Sequence, residues 1–144
     1  MRLKGDCRAD IRAGQFVEVA LDGFFLRRPI SVCDVYGDGI RLVYKVTGKG
    51  TEYMSSLKKG DRVRALTGLG NGFSLDKCKK TALICGGGVG VPPLLLLAKR
   101  LIESGKNAYV ALGFNSAADV MLADEFKAVG AQVEIATLDG SAGL

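Results

Sequence analysis

Nothing in this sequence restricts its fold as tightly as the run Cys85-Gly86-Gly87-Gly88-Val89-Gly90-Val91-Pro92-Pro93. An apolar segment short enough for a buried strand, residues 81–84, precedes it, and a second apolar segment, residues 94–97, follows the prolines. That order predicts strand, tight turn and helix, because glycine lets the backbone reverse sharply and proline is tolerated in the first turn of a helix. The same geometry suits phosphate. A ligand can approach bare amides closely, and the first turn of the helix presents unpaired N–H groups and the positive end of its dipole. The usual dinucleotide spacing G-x-G-x-x-G is not met, since its last position falls on Val91 when counted from Gly86 and on Pro93 when counted from Gly88. What is met is G-x-G-x-x-P at Gly88, Gly90 and Pro93. A glycine turn alone is also compatible with a plain strand-to-helix connection.

The hydrophobic period changes along the chain. Residues 15–21 are rich in strand formers, Asp22-Gly23 supplies a turn, and Phe24, Phe25 and Leu26 open the return arm of a hairpin. Residues 32–35 form another short run before the turn cluster Tyr36-Gly37-Asp38-Gly39. Ile40, Leu42, Tyr44 and Val46 then alternate with Arg41, Val43 and Lys45, the cleanest period-two pattern in the chain. After the glycine loop 47–51 a short helix is expected over 52–57, with Thr51 as its N-cap, and a further strand over 62–66. Short strands with turns between them predict a small antiparallel barrel or sandwich. From Lys79 onward the pattern becomes strand 81–85, helix 92–104, strand 108–112, helix 117–129 and strand 132–137, the alternation of a parallel sheet with right-handed crossovers. The expected organisation is a β barrel over 1–77 followed by a partial α/β domain over 78–144.

Composition narrows the chemistry. A chain of 144 residues that is 48% hydrophobic can build a real core. No apolar run approaches the roughly 18 to 20 residues of a membrane helix, and residues 1–6 carry charges with no apolar stretch behind them. A cytoplasmic protein without a membrane partner is expected. Four cysteines, Cys7, Cys33, Cys78 and Cys85, form no C-x-x-C pair, so neither a zinc site nor a dithiol motif is supported and no metal ligands are assigned. Histidine is absent, which removes Ser-His and Cys-His catalysis together with the commonest general base. Any chemistry must therefore come from a cofactor. The net charge of +5 is spread through the chain without a stacking pattern or zinc-finger spacing. It fits a solvated basic surface and attraction to phosphate-bearing cofactors rather than nucleic acid.

Two features of the first domain point the same way. Arg28 precedes a proline that holds its backbone extended, and a guanidinium so placed can grip a pyrophosphate through paired hydrogen bonds. Ser31 offers a small hydroxyl three residues on, and residues 48–51 form a second amide-rich loop ahead of a helix.

In order and spacing, Arg28-Pro29-Ile30-Ser31, then Val43-Tyr44-Lys45 with Gly50-Thr51, then Gly68-Leu69-Gly70-Asn71-Gly72-Phe73, and finally Gly86 to Pro93 resemble the electron-transfer subunits of type B dihydroorotate dehydrogenases. These belong to the ferredoxin-reductase-like flavoproteins, and the resemblance covers about residues 14–143. It implies an FAD-binding antiparallel barrel followed by a nicotinamide-binding lobe. By that analogy Arg28, Pro29, Ile30 and Ser31 line the FAD site, with Arg28 on the pyrophosphate and Ser31, near the reactive flavin nitrogen, as the candidate catalytic residue. Val43, Tyr44 and Lys45 border the isoalloxazine or ribityl chain, Gly50 and Thr51 bind phosphate, and Gly86, Gly87, Gly88 and Gly90 face NAD(H). Many members carry tyrosine where this chain has Ile30, leaving Tyr44 as the aromatic contact. The resemblance further implies an FMN-containing catalytic subunit as partner in a heterotetramer, with electrons from dihydroorotate reaching NAD+. Hydride transfer needs positioning more than acid–base catalysis, in keeping with the absence of histidine.

The match departs from the family in several places. The family's opening strand precedes the point where this chain starts, and the rest of the nicotinamide lobe and a carboxyl-terminal cysteine cluster lie beyond Leu144, so the sequence looks truncated at both ends. A [2Fe-2S] cluster needs four close ligands, and the scattered cysteines lead to the expectation that this chain holds none. The acidic residue expected roughly 20 positions beyond the glycines is replaced by the neighbourhood of Asn107, so NAD over NADP rests on analogy. Related flavin subunits of hydrogenases and of ferredoxin–NAD(P) reductases share much of the pattern. A non-catalytic partner-binding module and a free-standing flavin reductase are the remaining alternatives.

Overall fold

The computed structural model describes residues 1–5 and 11–143, which fold into two lobes, one antiparallel and one parallel. Cys7 lies outside the described residues. In the first lobe, β2 (Phe16–Ala20) alternates strictly, so that Val17 and Val19 are fully buried while Phe16, Glu18 and Ala20 are half-buried. It pairs with β3 (Arg28–Tyr36), Val17 opposite Ile30 and Phe16 opposite Ser31. The return arm therefore starts at Arg28, and Phe24 to Leu26, expected as strand, belong to the connecting loop. Past Ser31, β3 changes partner through an irregularity between Val32 and Asp34 and pairs with β4 (Gly39–Leu42). A strand shared in this way bends a sheet around a core.

The ladder of β4 stops at Leu42, although the alternation in the sequence runs on to Val46. Beyond Leu42 its neighbours are used up: β1 (Arg2–Lys4) begins one residue after Met1, whose carbonyl accepts from Leu42 N–H at 2.9 Å, and β3 has turned to β2. β1 itself was not expected from sequence. It is a charged edge strand, Leu3 lying opposite Ile40, and a three-residue segment of that composition carries no periodic signal. The helix α1 (Lys49–Ser56) starts three residues earlier than expected, with Gly48 rather than Thr51 at its N-cap. β5 (Arg64–Leu69) closes the order β1-β4-β3-β2-β5, an antiparallel half-barrel.

In the second lobe β6 (Thr81–Gly87), β7 (Asn107–Phe114) and β8 (Gln132–Thr137) form a parallel sheet in that order. The helix α2 (Pro92–Glu103) opens with its two prolines and buries Leu94, Leu95, Leu96, Leu97, Ala98 and Leu101. So broad an apolar face is needed because α2 lies between the two lobes, against β3 on one side and β6 and β7 on the other. The single helix expected over 117–129 is divided into a 3-10 turn, Ala117–Asp119, and α3 (Ala123–Ala128). Leu122 between them has φ 63°, a left-handed conformation that interrupts helical hydrogen bonding. The antiparallel sheet ends at Leu69 and the parallel sheet begins at Thr81, with a 3-10 turn, Leu75–Lys77, at the junction.

Candidate cofactor-binding cleft

Two groups of residues far apart in sequence meet at the mouth between the lobes. Freed from β4, Val43, Tyr44 and Lys45 form one wall of a cleft of about 920 Å³. The opposite wall is the carboxyl edge of the parallel sheet: Gly87 and Gly88 after β6, Phe114 and Asn115 at β7, Thr137 and Leu138 at β8. Residues 118–121, from within the 3-10 turn to just before α3, complete it. Ligands of open α/β sheets bind outside the carboxyl ends of the strands, because the loops there are free of the sheet and the helix amino termini point at them. The wall is mostly apolar, with Lys45 and Asp119 of opposite charge. Partial burial raises the Tyr44 hydroxyl above the ordinary phenol value, which keeps it protonated.

The glycines have separate tasks. A Cβ on Gly86 would stand 2.3 Å from Leu94 Cδ1, so this residue allows α2 to sit close on β6. Gly88 has φ 49° and open space around its Cα, and it lines the cleft. Gly90 also has open space but lies outside the cleft lining, in the 3-10 turn Gly88–Gly90 that leads into α2.

A second constellation lies on the first lobe. A Cβ on Gly50 would be 2.0 Å from Arg28 Nε, so the guanidinium rests on the backbone of the first turn of α1. Arg28 also donates to the Leu26 carbonyl and stacks over Phe24, its Cζ 4.9 Å from the ring centroid. Phe24 in turn meets Tyr53 of α1 with ring centroids 5.8 Å apart. The first bond inside α1 is Glu52 N–H to the Gly48 carbonyl at 2.9 Å, which leaves the amides of Lys49, Gly50 and Thr51 ahead of the helical ladder. Thr51 Oγ1 is occupied locally, accepting from Thr47 N–H at 3.0 Å and Gly48 N–H at 3.2 Å. The guanidinium and the free amides make a compact positive site of the kind that grips a diphosphate.

Of the residues expected from sequence, the fold thus brings Val43, Tyr44 and Lys45 together with Gly87 and Gly88, and Arg28 together with Gly50 and Thr51. Pro29, Ile30 and Ser31 are on β3 beside Arg28, with Ile30 half-buried against the core and Ser31 exposed, and none of them lines the cleft. Sequence reasoning missed the contributions of β7 and β8. The position of each at a strand's carboxyl end was the available signal.

No family model matches the chain. Curated relatives do: it is 43% identical over 150 residues to the dihydroorotate dehydrogenase B (NAD(+)) electron transfer subunit of Streptococcus mutans, covering 99% of this chain and 57% of the relative. With the subunit of the same name from Fusobacterium nucleatum it is 41% identical over 152 residues, covering 99% and 58%. By sequence this chain is a relative of these electron transfer subunits. It spans somewhat over half of their length. Among solved structures, that of an NADH-dependent reduced ferredoxin–NADP oxidoreductase superimposes with a TM-score of 0.88 at 33% identity, over 99% of this chain and 52% of the other. The cytochrome b5 reductase domain of Ulva prolifera nitrate reductase, at 16% identity and a TM-score of 0.74 over 94% of this chain and 66% of the other, shares the fold. The two lobes are thus a ferredoxin-reductase-like fold, as the resemblance to the electron transfer subunits implies.

Proposed function

We propose that this chain binds FAD across the two constellations of the first lobe and passes electrons between it and NAD(H) at the carboxyl edge of the parallel sheet. The observation that carries this reading is the shared cleft, in which Val43, Tyr44 and Lys45 face Gly87 and Gly88. Beside that cleft, on the first lobe, Arg28 and the amides of Lys49, Gly50 and Thr51 hold the pyrophosphate. Lys45 and Lys49 are four residues apart, so their Cα atoms are separated by at most about 14 Å, a span suited to a ribityl chain running from phosphate to ring. Tyr44 and Val43 border the isoalloxazine, and Pro29 and Ser31 flank it from the exposed face of β3, with Ile30 between them on the opposite, core-facing side. Gly88 and the loop ends of β7 and β8 receive the nicotinamide. Gly86 serves this site indirectly, by seating α2. Bound FAD supplies hydride and single-electron chemistry that no side chain here can supply. The protein's own part is to orient the two rings and keep water from between them.

The names of the relatives, electron transfer subunits of a dihydroorotate dehydrogenase that uses NAD+, support extending the reading to a complex with a catalytic subunit that oxidises dihydroorotate. That this partner carries FMN and that the complex is cytoplasmic are part of the same proposal. A [2Fe-2S] cluster does not fit the described residues: Cys33 is buried in the first lobe, Cys78 is half-buried at the junction and Cys85 is exposed on β6. Among the described residues no group of three or more His, Cys, Asp or Glu is placed to hold a metal, and none of their helices is long and apolar enough to cross a membrane. No step is assigned to a cluster.

The test is to purify the chain with FAD, measure its affinity by the flavin absorbance band, and add NADH without oxygen. Bleaching of the band is expected, and Arg28→Ala should weaken FAD binding at least about tenfold. An unchanged affinity in that variant would sink the assignment. One observation favours a second reading, in which the chain acts only inside an assembly. Parallel sheets are normally covered on both faces, yet Leu83 is 74% and Tyr109 43% exposed on the face away from α2. Turnover of NADH by the isolated chain would exclude that alternative.

A further inference from the structure

The two walls of the cleft are tied together by one ion pair. Arg41, near the end of β4, donates from both terminal nitrogens to Glu125 of α3, at 2.5 and 3.1 Å, although the two residues are 84 apart in sequence. Each partner sits at the root of a wall. Arg41 is two residues before Val43, and Glu125 follows the cleft-lining segment 118–121 through Leu122, whose φ of 63° is a conformation leucine seldom adopts. Between the pair and each wall the backbone is held by side-chain packing rather than by a sheet ladder, with Val43, Tyr44, Val120, Met121 and Leu122 half-buried against the core. Residues 43–47 leave the sheet without joining another strand, and α3 has only the residues Ala123–Ala128. The forked geometry holds direction as well as distance, which a single hydrogen bond would not do. A second pair joins the lobes, Lys99 Nζ to Asp34 Oδ1 at 3.2 Å, but it links α2 to β3, and neither residue lines the cleft although Asp34 lies opposite Arg41 in the β3–β4 register.

We infer that Arg41 and Glu125 are positioning residues that set the separation and tilt of the two cleft walls, and so the distance between the electron-exchanging rings. This rests on the proposed function for its consequence in electron transfer, but not for its structural content. The side chains of the pair are 24% and 45% exposed, so replacing either leaves no fully buried charge and the variants remain foldable.

Hydrogen exchange of the 144-residue chain without cofactor reads the walls directly. In Glu125→Gln, the hydrogen-bonded amides of segments 43–47 and 118–122, those of Thr47, Asp119 and Val120, should exchange roughly fivefold faster, the upper range for a partly exposed pair, while β2 is unchanged. The exchanged pair Arg41→Glu with Glu125→Arg should restore protection. Lys99→Met, which cuts the other link, should leave both segments as they are. With FAD bound, Glu125→Gln should slow bleaching at saturating NADH without changing FAD affinity. Unchanged exchange in Glu125→Gln, or equal loosening of the same segments in Lys99→Met, would overturn the inference. Failure of the wild-type chain to bind FAD would instead remove the proposed function and leave the exchange result to stand by itself.

Discussion

The guanidinium of Arg28 lies directly on the backbone of Gly50, so closely that a methyl group at residue 50 would stand 2.0 Å from Nε. Contact of that kind is open only to glycine. It puts the guanidinium proposed to hold the pyrophosphate beside the free amides of α1, and it makes Gly50 the sharpest probe of that proposal.

Gly50→Ala should therefore separate folding from binding. Alanine in a helix gains up to about 1 kcal/mol of propensity over glycine, which offsets part of the crowding, so thermal stability should change little. Loss of the guanidinium's seat should weaken FAD binding about tenfold or more, the scale of a charge-assisted hydrogen bond. Titration followed by flavin fluorescence, alongside a melting curve, checks both halves.

Phe24 holds Arg28 from the other side, with Cζ 4.9 Å from its ring centroid. Phe24→Leu keeps apolar bulk but removes the ring's electrostatic attraction. A loss of roughly two- to fivefold in FAD affinity is expected, the scale of an exposed cation–π contact. An affinity as poor as that of Arg28→Ala would mean that Phe24 does more than steady the arginine.

At Gly86 the expected cost is to stability. The added methyl group would stand 2.3 Å from Leu94 Cδ1 in a buried interface, and overpacking of this kind costs about 1–3 kcal/mol. Urea unfolding of Gly86→Ala should show it, and Leu94→Val in the same chain should recover part of the loss. No recovery would place the strain elsewhere.

Alkaline pH should expose Cys33. Burial is the main cause that pushes its thiol from 9.0 up to about 11. Unfolded chains ionise this thiol first, so the folded state holds the extra proton between those values and stability falls as pH rises through that window. A shift of that size corresponds to about 2–3 kcal/mol, fully present below pH 9 and lost by about 11. Cys33→Ala should flatten this part of the stability profile. In the folded protein at neutral pH, alkylation should reach the exposed Cys85 and spare the buried Cys33.

Much of the fold is written in short windows of sequence. The strand at 132–137 matches its expected bounds, and α2 ends one residue before its expected end, because the apolar period and the paired prolines act within a few residues of backbone. The β2–β3 hairpin was visible as well, though its return arm was placed too early. Phe24 and Phe25 look like strand residues, yet Phe24 is drawn off to meet Arg28 and Tyr53, and Phe25 is fully exposed. The helix over 117–129 failed for a related reason: a left-handed residue at Leu122 has no mark in composition.

The site divides along the same line. Its parts could be named from sequence, since glycine turns, an arginine before proline and an alternating run each carry local steric or electrostatic meaning. Which part faces which was decided by tertiary structure alone. Val43 to Lys45 line the cleft because β4 runs out of neighbours at Leu42, and the far wall exists because three strands end at one edge. Arg41 meets Glu125 across 84 residues for the same reason. Local sterics determine the elements, whereas contacts between distant residues depend on how α2 packs both lobes at once, and that packing has no periodic signature in the chain.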